Sequence, residues 1–394
     1  MITGAGTVNP LAKDVPGTLA ALAEGRCAIG PLNIRDVDRL SIRIGAAVQE
    51  WHSAHPMLDR SVQFALEAAR QAVIGAGLEF SGALGRAAGV ILGTAGGGLS
   101  TVDDNYRAVY AEGKSRVHPM VVPRLMHSAA ASHVSMAHGL QGPSFTVSSA
   151  CASSNHAMGL AFQMVRSGAA PVMLAGGAEA MLTFGGMKAW EGLRVMAPDA
   201  CRPFSADRTG MVQGEGAAIF VFEERDRAVA RGAEILAEVA GFGMSADAQD
   251  LVVPSQAGAE RAMALALADA GIAASDVGYI NAHGTGTTLN DRTEAAAICA
   301  VFGQGLPRIP VSSSKSMHGH LIGATGAVEL LACLLALREG VVAPTIGHRI
   351  ADPNCALDVV PNIARAMGAG AIRVSLSNAF AFGGLNAVLA LRKA

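Results

Sequence analysis

Short runs of β-branched and apolar residues alternate along the chain with longer alanine-rich stretches whose apolar positions recur at a helical period. By this pattern Gly89–Thr94, Pro171–Ala175, Ala217–Phe222, Gly278–Ala282, Ile309–Ser313, Ile372–Ser377 and Ala387–Leu391 are expected strands. Thr18–Glu24, Asp59–Ile74, Ala152–Ser167, Gly258–Ala270, Asp291–Phe302 and Ala324–Arg338 are expected helices. Strands apolar on both faces belong in buried sheets covered by helices, so the expected fold class is α/β. Ile2-Thr3-Gly4-Ala5-Gly6 reads as the end of a strand and its turn, which puts the expected natural start a few residues upstream.

The chain has 394 residues, enough for two domains or one large duplicated core. A composition of 51% hydrophobic and 16% charged residues excludes disorder. Thirty basic and 32 acidic side chains give a net charge of -2, so no overall field favours nucleic acid or an anionic membrane. Cys27, Cys151, Cys201, Cys299, Cys333 and Cys355 are scattered without a Cys-x-x-Cys pair, which fits a reducing cytoplasm rather than zinc or a disulfide framework. The most membrane-like stretch, Gly326–Leu337, contains Glu329 and ends at Arg338, so a buried helix is expected there. No linker or short-period repeat divides the chain, although both halves contain a strand, a glycine-rich turn and a helix.

Four segments carry candidate chemistry. In Phe145–His156 an extended run turns at Cys151 into a helix, whose N-terminal N–H groups and dipole favour a thiolate and can face an oxyanion. A structural buried thiol is the alternative for that segment alone. In Tyr279–Thr287, His283 follows a strand and precedes small residues, with Thr285 and Thr287 adding hydroxyls. Asp291 and Glu294 have a helix-capping or dipole reading there. In Val311–His320, Lys315, His318 and His320 follow another strand and are too polar to be core filler. No metal is expected, because nothing near His318 and His320 completes a ligand set at a familiar spacing. In Ser377–Asn386, the Gly383-Gly384 pair forms a turn beside Phe380 and Phe382, with a possible second oxyanion donor. Gly93–Gly98 lacks both the P-loop ending and the Rossmann spacing, so nucleotide binding is not expected.

Together, Cys151 in Ser-Ala-Cys-Ala-Ser, His283 in Asn-Ala-His-Gly-Thr-Gly-Thr, Lys315 and His320 in Lys-Ser-Met-His-Gly-His, and Phe382-Gly-Gly resemble the β-ketoacyl-acyl carrier protein synthases of the thiolase superfamily. That resemblance implies a thiolase-like duplicated five-layer αβαβα sandwich. Residues 1–238 would carry the nucleophilic cysteine and residues 239–394 the histidines and lysine. It implies decarboxylative Claisen condensation of an acyl-cysteine with malonyl-acyl carrier protein in fatty acid elongation. The N–H groups of Cys151 and Phe382 would hold the oxyanion, and His283 and His320 would promote decarboxylation. Lys315, Glu329 and Asp291 would support them, Phe380 would line the substrate site, and Thr285 and Thr287 would contact the phosphopantetheine arm, which the carrier supplies so that no cofactor is needed. A homodimer is expected, with a heterodimer as the alternative.

Gly96 stands where the family usually has an isoleucine gating the acyl pocket, while His318, Ala381 and Leu385 are further departures. They leave open a specialised polyketide or polyene pathway, or a weakly catalytic partner subunit. Thiolases and cysteine hydrolases share parts of this chemistry, but neither accounts for all four segments. Arg194 matches a carrier-docking arginine, with Arg124 and Arg202 as further candidates and ordinary surface charge as the alternative.

Overall fold

In the computed structural model, which describes residues 1–303 and 309–394, two sheets of five strands share one order. The first contains β1 (Ile2–Val8), β2 (Gly89–Gly93), β3 (Ser144–Val147), β4 (Val172–Glu179) and β5 (Gly216–Glu223) in the order β3-β2-β4-β5-β1. The second contains β6 (Glu238–Ala246), β7 (Tyr279–Asn281), β8 (Val311–Ser312), β9 (Val374–Ala381) and β10 (Leu385–Arg392) in the order β8-β7-β9-β10-β6. Each pair in the first sheet has its counterpart in the second. The pairs β2/β3 and β2/β4, like β7/β8 and β7/β9, are parallel; the rest are antiparallel.

The helices complete the layers. α1 (Arg60–Ala76) and α2 (Ala129–His138) cover the outer face of the first sheet, and α4 (Gln256–Ala270) and α5 (Thr288–Phe302) lie on the outer side of the second half. Between the sheets run α3 (Ser153–Arg166) and α6 (Thr325–Glu339). This is the five-layer αβαβα sandwich. All but the last two residues of α6 are buried, so the expected buried helix around Glu329 is observed. No helix among the described residues is long and apolar enough to cross a membrane. Asn155, buried in the first turn of α3, donates through Nδ2 to the carbonyls of Ser377 and Ala387, tying the middle layer to the second sheet.

Glycines repeat at matching places in the two halves. In β1, a Cβ on Gly4 would meet the Ala72 carbonyl oxygen at 2.2 Å, and one on Gly6 the Ala68 oxygen at 2.0 Å. In β6, Gly241 and Gly243 stand in the same relation to Ala266 (2.4 Å) and Ala262 (2.2 Å) of α4. Only a missing side chain lets these helices lie so close to their strands. These glycines also hide the strands from periodicity. Ile2–Gly6 is the body of a seven-residue strand rather than the end of one, and β6 was not anticipated at all. The division at residues 238 and 239 falls at the first residues of β6.

Gly6→Val and Gly243→Val each push a side chain into helix backbone. Each is expected to destabilise the fold by about 1–3 kcal/mol, seen as a lower urea midpoint. Unchanged midpoints in both would show that the glycines do not set the helix-to-sheet distance.

Candidate active site

The repeated topology brings segments from both halves to one joint between the sheets. After β3 the chain turns through Ala150–Ala152 into α3, carrying Cys151 at the helix entrance. Ala150 is left-handed, with φ 49°, so the turn is sharp and strained just before the thiol. β7 leads directly to His283, β8 leads into the turn bearing Lys315, and the β9–β10 hairpin presents Phe380 and Phe382. Cys151, His283 and His320 are all buried, and one sulfur or ring nitrogen from each lies within 4.8 Å of the others. The two imidazoles meet edge to face at 5.5 Å between centroids.

Lys315 lies within this cluster's electrostatic reach, its Nζ donating to Glu329 Oε1 at 2.6 Å, with side-chain exposures of 0% and 1%. Burial pushes Glu329 up to about 7 while the lysine opposes the rise. Burial, and then the Lys315 charge, hold His283 and His320 well below the usual imidazole range. Both rings are therefore neutral at physiological pH. Desolvation works against the thiolate that the helix entrance favours. Burial raises Cys151 to about 12, outweighing the Lys315 charge and the nearby backbone N–H groups of Phe382 and Cys151 itself, which act in the opposite direction. Burial thus favours the thiol form of Cys151 at the helix entrance.

The tautomer of His320 follows from its partners. Its Nδ1 accepts the Ile322 N–H at 3.0 Å and lies 2.8 Å from Thr325 Oγ1, so the proton resides on Nε2. His320 Nε2 and His283 Nδ1 are buried with no hydrogen-bond partner among the described residues. An isolated buried polar atom is costly, and a bound carbonyl would satisfy it. His318, by contrast, bonds Gly319 O and Ser314 Oγ within its own turn, and burial takes it down to about 3. It is a satisfied core histidine, so polarity alone misassigned it.

The acids of α5 do not cap that helix. Glu294 accepts the N–H groups of His283 and Gly284 at 2.8 and 2.7 Å and is steadied by Asn378. Asp291 accepts from Phe204 and Gly286 and faces Arg208 at 3.6 Å. Both hold the loop behind His283. Glu294 was passed over as a capping group, yet it falls on the buried stripe with Asp291, Ala295 and Ile298, where an acid needs internal donors. Glu179, also unanticipated, ends the wholly buried strand β4.

A cavity of about 240 Å³ opens from Cys151, His283 and His320. Thr285, Thr287, Phe380, Phe382 and Arg194 also line it, and the two threonine hydroxyls are 2.9 Å apart. Phe382 stacks on Trp190 at 6.1 Å. Arg194 is exposed on the cavity wall. Arg202 is not free to dock a partner, since it is buried against Asp199 and Asp207. Gly96 does not line this cavity; its N–H donates to Glu179 Oε1 at 3.1 Å.

A duplicated sandwich with a thiol, two neutral imidazoles and backbone donors at the joint of its halves defines a condensing enzyme of the thiolase fold. The chain belongs to the beta-ketoacyl synthase family, matching its N-terminal domain over residues 1–228 and its C-terminal domain over residues 236–349. It is an acyltransferase-type condensing enzyme, a ketosynthase similar to the 3-oxoacyl-[acyl-carrier-protein] synthases 2. The Synechocystis sp. (strain ATCC 27184 / PCC 6803 / Kazusa) enzyme of that name is 38% identical, with 100% of this chain and 97% of the relative covered. Nodulation protein E of Rhizobium sp. (strain N33) is 48% identical, with 100% and 98% covered. The solved structure of the ishigamide ketosynthase/chain length factor matches with TM-score 0.93 at 36% identity, covering 100% of this chain and 98% of that one. A type II PKS acyl-carrier protein in complex with its ketosynthase bound to the hexaketide matches with TM-score 0.91 at 30% identity, with the same coverages.

Replacing Lys315 with Met removes the charge that resists imidazole protonation. His283 and His320 then take up a proton at higher pH, so the acid limb of ketosynthase turnover should move to higher pH. A pH profile of turnover checks this, and an unmoved limb refutes the electrostatic role of Lys315.

Proposed function

We propose that this ketosynthase stores an acyl group on Cys151 and condenses it with malonyl-acyl carrier protein, and that its acyl chain belongs to a specialised pathway. The observation carrying the chemistry is the buried cluster of Cys151, His283 and His320 within 4.8 Å. Greater identity with nodulation protein E than with the Synechocystis synthase supports the specialised pathway, 48% against 38%. Fatty acid elongation is the second reading, favoured by the match to synthase 2 over the whole chain.

In the first half-reaction, the Cys151 sulfur attacks the carbonyl carbon of an acyl thioester. Its proton passes to the free nitrogen of neutral His283, because the outward nitrogen of His320 already carries one. The N–H groups of Cys151 and Phe382 receive the oxyanion. When the carbon–sulfur bond breaks, the phosphopantetheine thiolate takes the proton from His283 and leaves as a thiol.

In the second half-reaction, a malonyl thioester places its carbonyl against His320 Nε2–H, with the neutral His283 ring beside it. The bond to the carboxylate breaks, carbon dioxide departs, and its electron pair forms an enolate whose oxygen accepts the His320 hydrogen bond. The enolate carbon attacks the acyl-cysteine carbonyl, and the expelled Cys151 thiolate regains a proton from solvent. Products are a 3-oxoacyl thioester, carbon dioxide and free enzyme. Lys315 disfavours a cation at the trio despite its ligand-like spacing, and each step above closes without one. We therefore assign no cofactor to the chain itself.

Thr285 and Thr287 offer hydroxyls to the amide-bearing pantetheine arm. Exposed Arg194 at the cavity wall suits an acidic carrier protein. β3 is an edge strand with exposed Ser144 and Phe145, so its free backbone supports dimerisation through that edge, with an identical chain or a related subunit. Six free cysteines support a cytoplasmic setting.

Purified protein given acyl- and malonyl-carrier thioesters should gain an acyl mass on Cys151 and release a 3-oxoacyl product, and Cys151→Ala should do neither. Failure of the wild type in both, across varied chain lengths, sinks the enzyme reading; the preferred chain decides between the two pathways. Arg194→Glu should raise KM for the carrier substrate about 10-fold while leaving turnover of a small pantetheine thioester unchanged. An equal loss on both substrates would remove Arg194 from docking.

A further inference from the structure

Glu179 is a fully buried carboxylate at the end of β4, and among the described residues no lysine or arginine pairs with it. Its Oε1 accepts the Thr94 hydroxyl at 3.0 Å and the Gly96 N–H at 3.1 Å. Its Oε2 accepts the Ala95 N–H at 2.7 Å and the Gly323 N–H at 3.1 Å. One side chain thus ties the loop after β2, in the first half, to the turn Ile322–Ala324 in the second. Every one of these partners donates, so the group they are built around is the anion. Burial nonetheless raises Glu179 to about 7, so the arrangement works against the cost of holding that charge.

The turn it grips is strained. Ile322, a β-branched residue, has φ 47°, a left-handed conformation that such side chains avoid. In that conformation the Ile322 N–H points at His320 Nδ1. Gly323 has no room for a side chain, since a Cβ there would meet the Ala95 nitrogen at 2.5 Å and Glu179 Oε2 at 2.7 Å. The glutamate and the histidine are therefore linked through adjacent peptide units.

We infer that Glu179 is a positioning residue for the decarboxylation step, holding Ile322 left-handed so that its N–H occupies His320 Nδ1 and keeps the proton on Nε2. Without that grip the turn relaxes and the Ile322 N–H swings away, leaving Nδ1 only the Thr325 hydroxyl, which accepts as readily as it donates, so Nδ1 competes for the ring proton. His320 then loses its donor toward the enolate. Acylation of Cys151 depends on His283 and the backbone N–H pair and is spared. The kinetic contrast rests on the condensation proposed above, whereas the tautomer of His320 does not.

The test compares Glu179→Gln with wild type in three measurements. Malonyl-thioester decarboxylation should fall about 100-fold in kcat, with KM within about 2-fold and Cys151 acylation within about 5-fold of wild type. Nitrogen-15 NMR of the histidines should show His320 shifting from the Nε2–H form toward Nδ1–H. If Glu179→Gln does not fold, Thr94→Val replaces it, with the same pattern at smaller amplitude and recovery in Thr94→Ser. Equal loss of both half-reactions, or an unchanged His320 tautomer, overturns the inference. If the wild type performs neither half-reaction the functional reading fails, and the NMR shift alone decides the role of Glu179.

Discussion

A lysine shut away from water and held against an equally buried glutamate is the constraint on which the rest of this site depends. Burying the Lys315–Glu329 pair carries a large desolvation cost, and such a pair is weak evidence for stability. What it supplies is a fixed positive charge in a medium of low dielectric, where its influence reaches several neighbours. It adds to burial in keeping two imidazoles neutral and draws the Cys151 thiol down from the level burial alone would set. Neutral imidazoles can each donate and accept, which the proposed thioester exchange and decarboxylation require.

The fold places that charge by repetition. Two sheets with the same strand order face each other across α3 and α6, so the loops following equivalent parallel strands open on one joint. The first half contributes a thiol at a helix entrance; the second contributes imidazoles and the lysine. Buried acids then fix the loops that bear them. Glu294 and Asp291 hold the His283 loop, and Glu179 spans the halves. None of these three carboxylates lines the cavity, and their partners are largely backbone N–H groups. Such acids convert loop segments into rigid supports, which a reaction needing several groups within a few ångströms demands.

Periodicity located most of the elements with a continuously apolar face, although it passed over α2. It failed at β1 and β6, because Gly4, Gly6, Gly241 and Gly243 interrupt the pattern for a reason that lies outside the strand, the approach of α1 and α4. Motif spacing singled out Cys151, His283, Lys315 and His320, which the fold brings into one buried cluster, because polar side chains at strand ends stand out from apolar surroundings. It misjudged His318 and Arg202, whose partners are supplied by folded neighbours. It also passed over Glu179 and Glu294, although an acid closing a buried strand or sharing a helix's apolar stripe is a usable signal.

Sequence alone determined the α/β class, the family and the set of polar groups that meet in the site, because hydrophobic period and the order of polar motifs are local properties of the chain. Tertiary structure alone decided their chemical state. Whether Cys151 is thiol or thiolate, which nitrogen of His320 carries the proton, and which arginine stays free all depend on burial and on partners many residues away. Desolvation and hydrogen bonding act through space, and only the folded chain sets those distances.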